Sequence, residues 1–289
     1  MIIRALLLGL CIVALPVFAQ DPSVQTTHIK GPLYLLQGRG GNVVVSVGDD
    51  GVAMIDTDYG NYAPAYKTAI QALADGSPRF VINTHWHGDH TGGNAFWGER
   101  GSVILAHDQV LQRMSTRQEN KFFGRVTEAS PVVAWPVVTY ADSLALHFNG
   151  DTLEVQHYAS GHTDGDSVVF FVGQNVVHMG DHYFKDRFPF IDMASGGSVA
   201  GFISNVEALL GKVDAQTIIV PGHGDLANRG DLQRYLDMLV ATRAEVKAMQ
   251  AKGMDLAAMQ AKGLDSKWQS WGLKFINQDN WIGFLVASP

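Results

Sequence analysis

Three histidines and an aspartate fall within six residues in the stretch Asn83-Thr84-His85-Trp86-His87-Gly88-Asp89-His90-Thr91-Gly92-Gly93-Asn94. Imidazole nitrogen and carboxylate oxygen are the donors that proteins use for zinc-type cations. The stretch follows Phe80-Val81-Ile82, an apolar run that reads as a buried strand. His85 and His87 alternate, so on an extended backbone their rings point the same way and share one cation. Asp89 and His90 lie past the bend and turn toward a second cation beside it. Gly88, Gly92 and Gly93 let the backbone fold tightly enough for these side chains to converge.

Three further places downstream have the same character. They are Ser160-Gly161-His162-Thr163-Asp164-Gly165-Asp166, Val177-His178-Met179-Gly180-Asp181, and Ile218-Ile219-Val220-Pro221-Gly222-His223-Gly224. Each puts a donor at the C-terminal edge of an expected strand, where loops gather and sites form. Any one alone would read as a loop histidine or a turn aspartate; together they read as one metal centre. His28, His107, His147, His157 and His178 are assigned to the background. The chain has a single cysteine, Cys11. It lies in an apolar leader, so nitrogen and oxygen must hold any metal.

The elements that position these residues follow from short β-branched runs bounded by glycine. Leu33–Gln37, Asn42–Val47 and Val52–Asp56 read as an antiparallel meander. A helix is expected over Tyr62–Ala74, then strands at Arg79–Thr84 and Ser102–Ala106 and a helix from about Asp108. Asn120–Val138, with Pro131 and Pro136, reads as irregular. A second β-rich block follows: Leu144–Phe148, Thr152–His157, Ser167–Val172 and Asn175–Met179. A helix near Val199–Leu210 leads to the strand Thr217–Val220. Helical spacing recurs over Gly230–Ala251. Ala-Met-Gln-Ala-Lys-Gly occurs at 248–253 and again at 258–263, too brief a duplication for a solenoid. Both copies read as helix and turn, with Trp268, Trp271 and Trp281 packing onto the body. Two β-rich blocks, each followed by helices, suit two sheets between helical layers.

In the 289 residues, 46% are hydrophobic and 17% charged, enough apolar material for a core and unlike a disordered chain. The net charge is −7 with no basic block, which argues against a nucleic-acid or anionic-lipid partner and leaves a small-molecule substrate. Residues 1–19 have the layout of a secretory signal: Arg4, an apolar run from Ala5 to Val17, then Val17-Phe18-Ala19 before a polar turn. Residues 20–289 are expected to form one exported, periplasmic or secreted domain, off the membrane once the leader is removed.

His-x-His-x-Asp-His, Gly-His-Thr, Gly-Asp and Pro-Gly-His-Gly, in that order, resemble the metallo-β-lactamase-fold hydrolase superfamily. The resemblance runs from about Leu33 to Asp231. It implies an αββα four-layer sandwich of the α/β class and two Zn2+ per chain. His85, His87 and His162 would hold one zinc, and Asp89, His90 and His223 the other, with Asp181 between them. Asp89 would also handle a proton in catalysis. Asp56 matches a family aspartate that orients the metal-binding loop, or is a plain turn aspartate. Such a pair of metals brings a bound water to a pKa of about 7 and polarises a carbonyl, so hydrolysis is the implied reaction.

Substrate signals conflict. A large subclass of true metallo-β-lactamases has cysteine where this chain has Asp181. Together with His90, the aspartate makes the site similar to thioesterases of the glyoxalase II type. The Gly38–Asn42 loop is short where many β-lactamases carry an apolar flap. The leader favours a β-lactam, which acts outside the cytoplasm, and that is the single substrate expected here. A thioesterase or lactonase, a mononuclear-iron persulfide dioxygenase and a non-catalytic periplasmic zinc-binding protein are the alternatives. Lys185 or Arg187 would pair with a substrate carboxylate or stay solvated, and His182 and Tyr183 would touch substrate or only pack beside it.

Overall fold

The computed structural model describes residues 22–120, 122–272 and 275–288. The expected leader and Cys11 lie outside the described residues. Among the described residues no helix is long and apolar enough to cross a membrane.

Strands β1 (Gln25–Lys30), β2 (Leu33–Gln37), β3 (Val43–Gly48) and β4 (Gly51–Ile55) form an antiparallel succession, with Tyr34 opposite Val45 and Val45 opposite Met54. After α1 (Ala63–Gln71), β5 (Phe80–Ile82) adds parallel to β4. Helices α2 (Gly88–Thr91) and α3 (Asn94–Gly98) lead to β6 (Val103–His107), parallel to β5. Helix α4 (Asp108–Met114) precedes a small hairpin of β7 (Gln118–Asn120) and β8 (Arg125–Thr127), and β9 (Val138–Tyr140) then completes the first sheet beside β6. The second sheet runs β10 (Ser143–Phe148), β11 (Asp151–His157), β12 (Ser167–Phe171) and β13 (Val176–His178), all antiparallel. Helix α5 (Val199–Leu210) crosses over to β14 (Ile218–Val220), parallel to β13. Helices α6 (Arg229–Ala251), α7 (Leu256–Lys262) and α8 (Gln278–Ala287) complete the chain.

Side-chain alternation sorts these elements into layers. Leu33, Leu35, Val44 and Ile55 of the first sheet meet Leu153, Val155, Val169 and Phe171 of the second in a shared core. On the outer face of the first sheet, Val43, Val45 and Met54 pack on Tyr66 and Ile70 of α1 and Trp97 of α3. On the outer face of the second, Val168, Val177 and Ile219 pack under Phe202 and Val206 of α5, Leu232 and Leu239 of α6 and Trp281 of α8. The arrangement is αββα.

The meander, both β-blocks and the late helices stand where the sequence places them. The two hexapeptide copies are the end of α6 with its turn, and α7 closed by Gly263. Trp281 is fully buried and its indole N–H donates to Thr242, while Trp271 stacks on Tyr235. Two differences stand out. β1 lies before the expected meander; it is a mostly exposed edge strand of polar residues with little apolar signal. Asn120–Val138 is not wholly irregular, since it holds β8 and reaches β9. These are three-residue strands, too short to show a period.

Candidate metal centre

The site sits where the two sheets' parallel pairs end. Asp56 follows β4, the His85–His90 segment follows β5, Asp181 follows β13, and His223 follows β14. His162 comes from the β11–β12 connection. Strand β5 is shorter than expected, so His85 lies on a bend and His87 caps the start of α2, neither on a strand. The ladder stops because Asp56, not a neighbouring strand, takes the next backbone donor: Thr84 N–H donates to its Oδ1 at 2.7 Å. Asp56 stands at φ +60°, a left-handed conformation that aspartate tolerates better than most residues. Gly92 and Gly93 are required by close packing, since a Cβ would lie 2.5 Å from the Gly88 carbonyl or 2.6 Å from the Thr57 carbonyl. Gly88 has open space around it and is not so constrained.

The donor atoms form two adjoining groups. In one, His85, His87, His162 and Asp181 each offer an atom to a common point; in the other, Asp89, His90 and His223 do the same. His87 Nδ1 lies 3.1 Å from His85 Nε2 and 2.8 Å from His162 Nε2. His223 Nε2 lies 3.4 Å from His90 Nε2 and 3.3 Å from Asp89 Oδ2. Asp181 spans the groups. Its Oδ2 is 3.4 Å from His162 Nε2, while its Oδ1 is 3.2 Å from His90 Nε2 and 3.4 Å from His223 Nε2. All seven residues expected as ligands are brought together.

What faces away from the cluster fixes what faces in. His87 Nε2–H donates to Asp192 Oδ2 at 2.9 Å, and His162 Nδ1–H to the Phe190 carbonyl at 2.7 Å. His90 Nδ1–H donates to Asp56 Oδ2 at 2.7 Å. The Thr84 hydroxyl donates to the same Asp56 oxygen, leaving its lone pairs for His85 Nδ1–H at 3.1 Å. Four rings therefore spend one proton on oxygen and turn their second nitrogen inward, as metal-bound histidines do. Asp56 is thus an orienting residue and not a plain turn aspartate. The buried lone pairs of His85, His87 and His162, facing one another at these distances, repel, and Asp181 Oδ1 is buried without a hydrogen-bond donor. A cation resolves both defects, so the residues fit a metal.

The electrostatics agree. Burial pushes His85 well below its usual range and His162 down to about 4, so both rings are neutral and ready to ligate. Burial works the same way on His223 and His90, but the Asp181 carboxylate and its acidic neighbours outweigh it. They hold His223 up at about 9 and His90 well above the ordinary value. Burial alone would raise Asp181, yet His223, His90, His162 and His85 hold it well below the usual carboxylate range.

The residues expected to meet substrate have different fates. Tyr183 is a correction: its side chain is buried in the core under α6, its ring 4.9 Å from Tyr235, because it points away from the cluster. His182 is also buried, stacked on Phe202 with its Nε2 accepting from Asn205, and burial pushes it down to about 3. Lys185 spends its ammonium on the Leu226 carbonyl at 2.6 Å and on Asp231 at 3.6 Å. Arg187 is half-buried beside Gly224, whose Cβ position lies 3.6 Å from a guanidinium nitrogen, next to His223. Of the background histidines, His178 ties the Gly38–Asn42 loop down through the Asn42 carbonyl at 2.9 Å.

Sequence reasoning missed Asp192 and the Phe190 carbonyl. The signal for Asp192 was an acid closing the apolar run Phe188-Pro189-Phe190-Ile191. For a backbone carbonyl there was none.

Fold and cluster define a metal-binding member of a hydrolase-rich architecture, and the comparisons with known proteins place it. The sequence profile described as the Metallo-beta-lactamase superfamily matches residues 36–223, more than half of the chain. The chain belongs to that superfamily. It is 24% identical over 243 residues to the 2,4-dinitroanisole O-demethylase subunit alpha of a Nocardioides strain, covering 83% of this chain and 70% of the relative. It is 24% identical over 144 residues to the metallo-beta-lactamase type 2 of Bacteroides fragilis, covering 50% of this chain and 52% of that one. In structure it is similar to a metallo-beta-lactamase from Pontibacter korlensis, with a TM-score of 0.63 and 17% identity. That likeness covers 75% of this chain and 99% of the other and speaks for the fold.

Proposed function

We propose that the chain is an exported dinuclear-zinc hydrolase that cleaves an amide, ester or lactone carbonyl, a β-lactam being the favoured substrate. One observation carries the reading: Asp181 Oδ2 faces the inward nitrogens of His85 and His162 while its Oδ1 faces those of His90 and His223, so each oxygen serves a different donor group. Zinc–nitrogen bonds of about 2.0–2.1 Å in a tetrahedron put donor atoms about 3.3 Å apart, close to the separations seen here. Two zinc ions would supply an acidified water and a Lewis acid for the substrate carbonyl.

The chain's own residues do the rest. Asp181 offsets the charge between the two groups with one carboxylate. Asp89, with its side chain 22% exposed at the cluster's open face, takes up and returns the proton of the attacking water. Asp192, Asp56 and the Phe190 carbonyl hold the rings in register. Arg187 sits where a substrate carboxylate beside the His223 group would find a cation. The lactamase relative and the leader favour a β-lactam. The relative named as an O-demethylase subunit favours keeping other bonds in the substrate panel.

The test is hydrolysis of a chromogenic cephalosporin, a thioester and a lactone by the chain from residue 20, with metal content measured on the same sample. Chelator-sensitive cephalosporin turnover at two zincs per chain supports the reading in full. Thioester or lactone turnover alone moves the substrate. One iron per chain, or no turnover by metal-replete protein, overturns it.

A further inference from the structure

The β7–β8 hairpin belongs to neither sheet, and its tip carries Phe122 and Phe123. Its base is anchored: Arg113 of α4 donates to Gln118 at the start of β7 and forms a two-point ion pair with Asp164 in the His162 loop. The tip reaches across to Phe190. That ring lies 5.4 Å from Phe122 and 5.0 Å from Phe123. The same ring lies 5.8 Å from His87 and 5.7 Å from His162. Phe275 stacks on Phe123 at 5.4 Å, and Phe284 of α8 lies 5.0 Å from Phe122. A chain of aromatic rings thus runs from one donor group out to solvent, with Phe190 and Phe284 buried inside it. Phe122 is 42% exposed and Phe275 60% exposed, so its outer end is uncovered.

We propose that the exposed rim of this aromatic cluster, at Phe122 and Phe275, is a substrate subsite that takes an aryl or bulky apolar acyl substituent, extending from the carbonyl on the side of His87 and His162. The inference rests on the hydrolase reading above and narrows its substrate class. Three features point to a substituent of substrate. Phe190 couples the surface directly to the cluster, holding His162 by its carbonyl and touching two rings by its side chain. The cluster's own exposed edge includes His87, so a bound carbonyl has the aromatic surface within reach. Arg187 lies toward the His223 group, so an anionic end and an apolar end of one molecule would be read at opposite ends of the site.

The experiment uses matched acyl pairs, acetyl and phenylacetyl, on one cephalosporin nucleus and on one aliphatic thioester. Alongside, calorimetry compares acetohydroxamate with phenylacetohydroxamate on the zinc-loaded chain, a readout that needs no turnover. Expected is a preference for the phenylacetyl member of about tenfold, carried by KM and by hydroxamate affinity, the size of a few aromatic contacts. In the double variant Phe122→Ala, Phe123→Ala that ratio falls toward one. Equal binding of the two hydroxamates, no measurable binding of either, or a ratio unchanged in the variant overturns the subsite. A dimer of the wild type that dissociates in the variant also overturns it, by making the surface an interface between copies. Hydroxamate discrimination without turnover of any pair keeps the subsite and sinks only the hydrolase reading.

Discussion

Asp192 Oδ2 accepts a hydrogen bond from His87 Nε2 at 2.9 Å, across 105 residues of chain, and so turns His87 Nδ1 toward His85 and His162. Asp192 is itself held by Ser195, whose hydroxyl donates to the same oxygen at 2.9 Å. The carboxylate's charge makes the imidazole a better donor to a cation and fixes its tautomer. Asp192→Asn keeps the shape and loses the charge. Metal affinity of the His85/His87/His162 group should fall about 10–100-fold, with the other group nearly unaffected. Stepwise chelator competition resolves the two; equal weakening of both would refute the asymmetry.

Asp181 is the one residue shared by both groups, and its Oδ1 is buried with no donor of its own. Asp181→Asn replaces one acceptor oxygen by an amide that carries hydrogens toward the His90 and His223 nitrogens. Metal retention and turnover should fall together, and by more than the ~10–100-fold of an outer contact. Full metal occupancy at normal rate in that variant would remove Asp181 from between the groups.

Legibility in the sequence followed the range of the signal. His85, His87, Asp89 and His90 are neighbours in the chain, so their type and spacing announced them. Asp181 and His223 were legible because each ends an apolar run, and His162 because its Gly-His-Thr lies between two expected strands, whose ends converge in a layered fold. The outward contacts were harder. Asp192 meets His87 only through the fold, and Phe190 acts through a carbonyl that every residue possesses. Tyr183 looked like a substrate contact because it follows Asp181 closely, but a short helical turn after Gly180 sends its side chain into the core. The edge strand β1 and the hairpin β7–β8 escaped notice because exposed strands carry no buried stripe.

The charged network gives the metal-free protein a pH dependence. His223 is raised from 6.5 to about 9 in the folded chain, because the carboxylates of Asp181 and Asp89 outweigh its burial. Its contribution to stability is therefore complete below pH 6.5 and lost as pH rises through about 9. A metal must displace that proton and one from His90, so zinc affinity should rise with pH between about 6.5 and 9. Calorimetry in two buffers of different ionisation enthalpy counts the protons released. No release at pH 7.5 would contradict the assignment of these rings as protonated before metal binds.

In the proposed site Lys185 is a structural cation and Arg187 the binding one. Lys185 is tied to Leu226 and Asp231, so Lys185→Ala should lower stability by about 1 kcal/mol and leave KM for anionic substrates unchanged. Arg187→Ala should instead raise KM for a carboxylate-bearing substrate by about tenfold, with kcat little altered. Thermal melts and steady-state kinetics on both variants decide it, and the reverse pattern would exchange their roles.

Gly41 shows how closely the short β2–β3 loop sits on the His90 group. Its amide donates to the Asp89 carbonyl at 3.0 Å, and a Cβ there would stand 2.2 Å from His90 Cε1. The neighbouring amides of Arg39 and Gly40 donate to the carboxylate of Asp58 at 3.0 and 2.8 Å, so the loop cannot retreat freely. In Gly41→Ala the ring of His90 has to move instead, and His90 is held by Asp56 on one side and faces Asp181 on the other. The variant should lose the metal of the Asp89/His90/His223 group while keeping that of the His85/His87/His162 group. Metal content near one per chain, with the fold's circular dichroism intact, is the expected result. Two metals per chain at full affinity would mean that the loop gives way before the ring does.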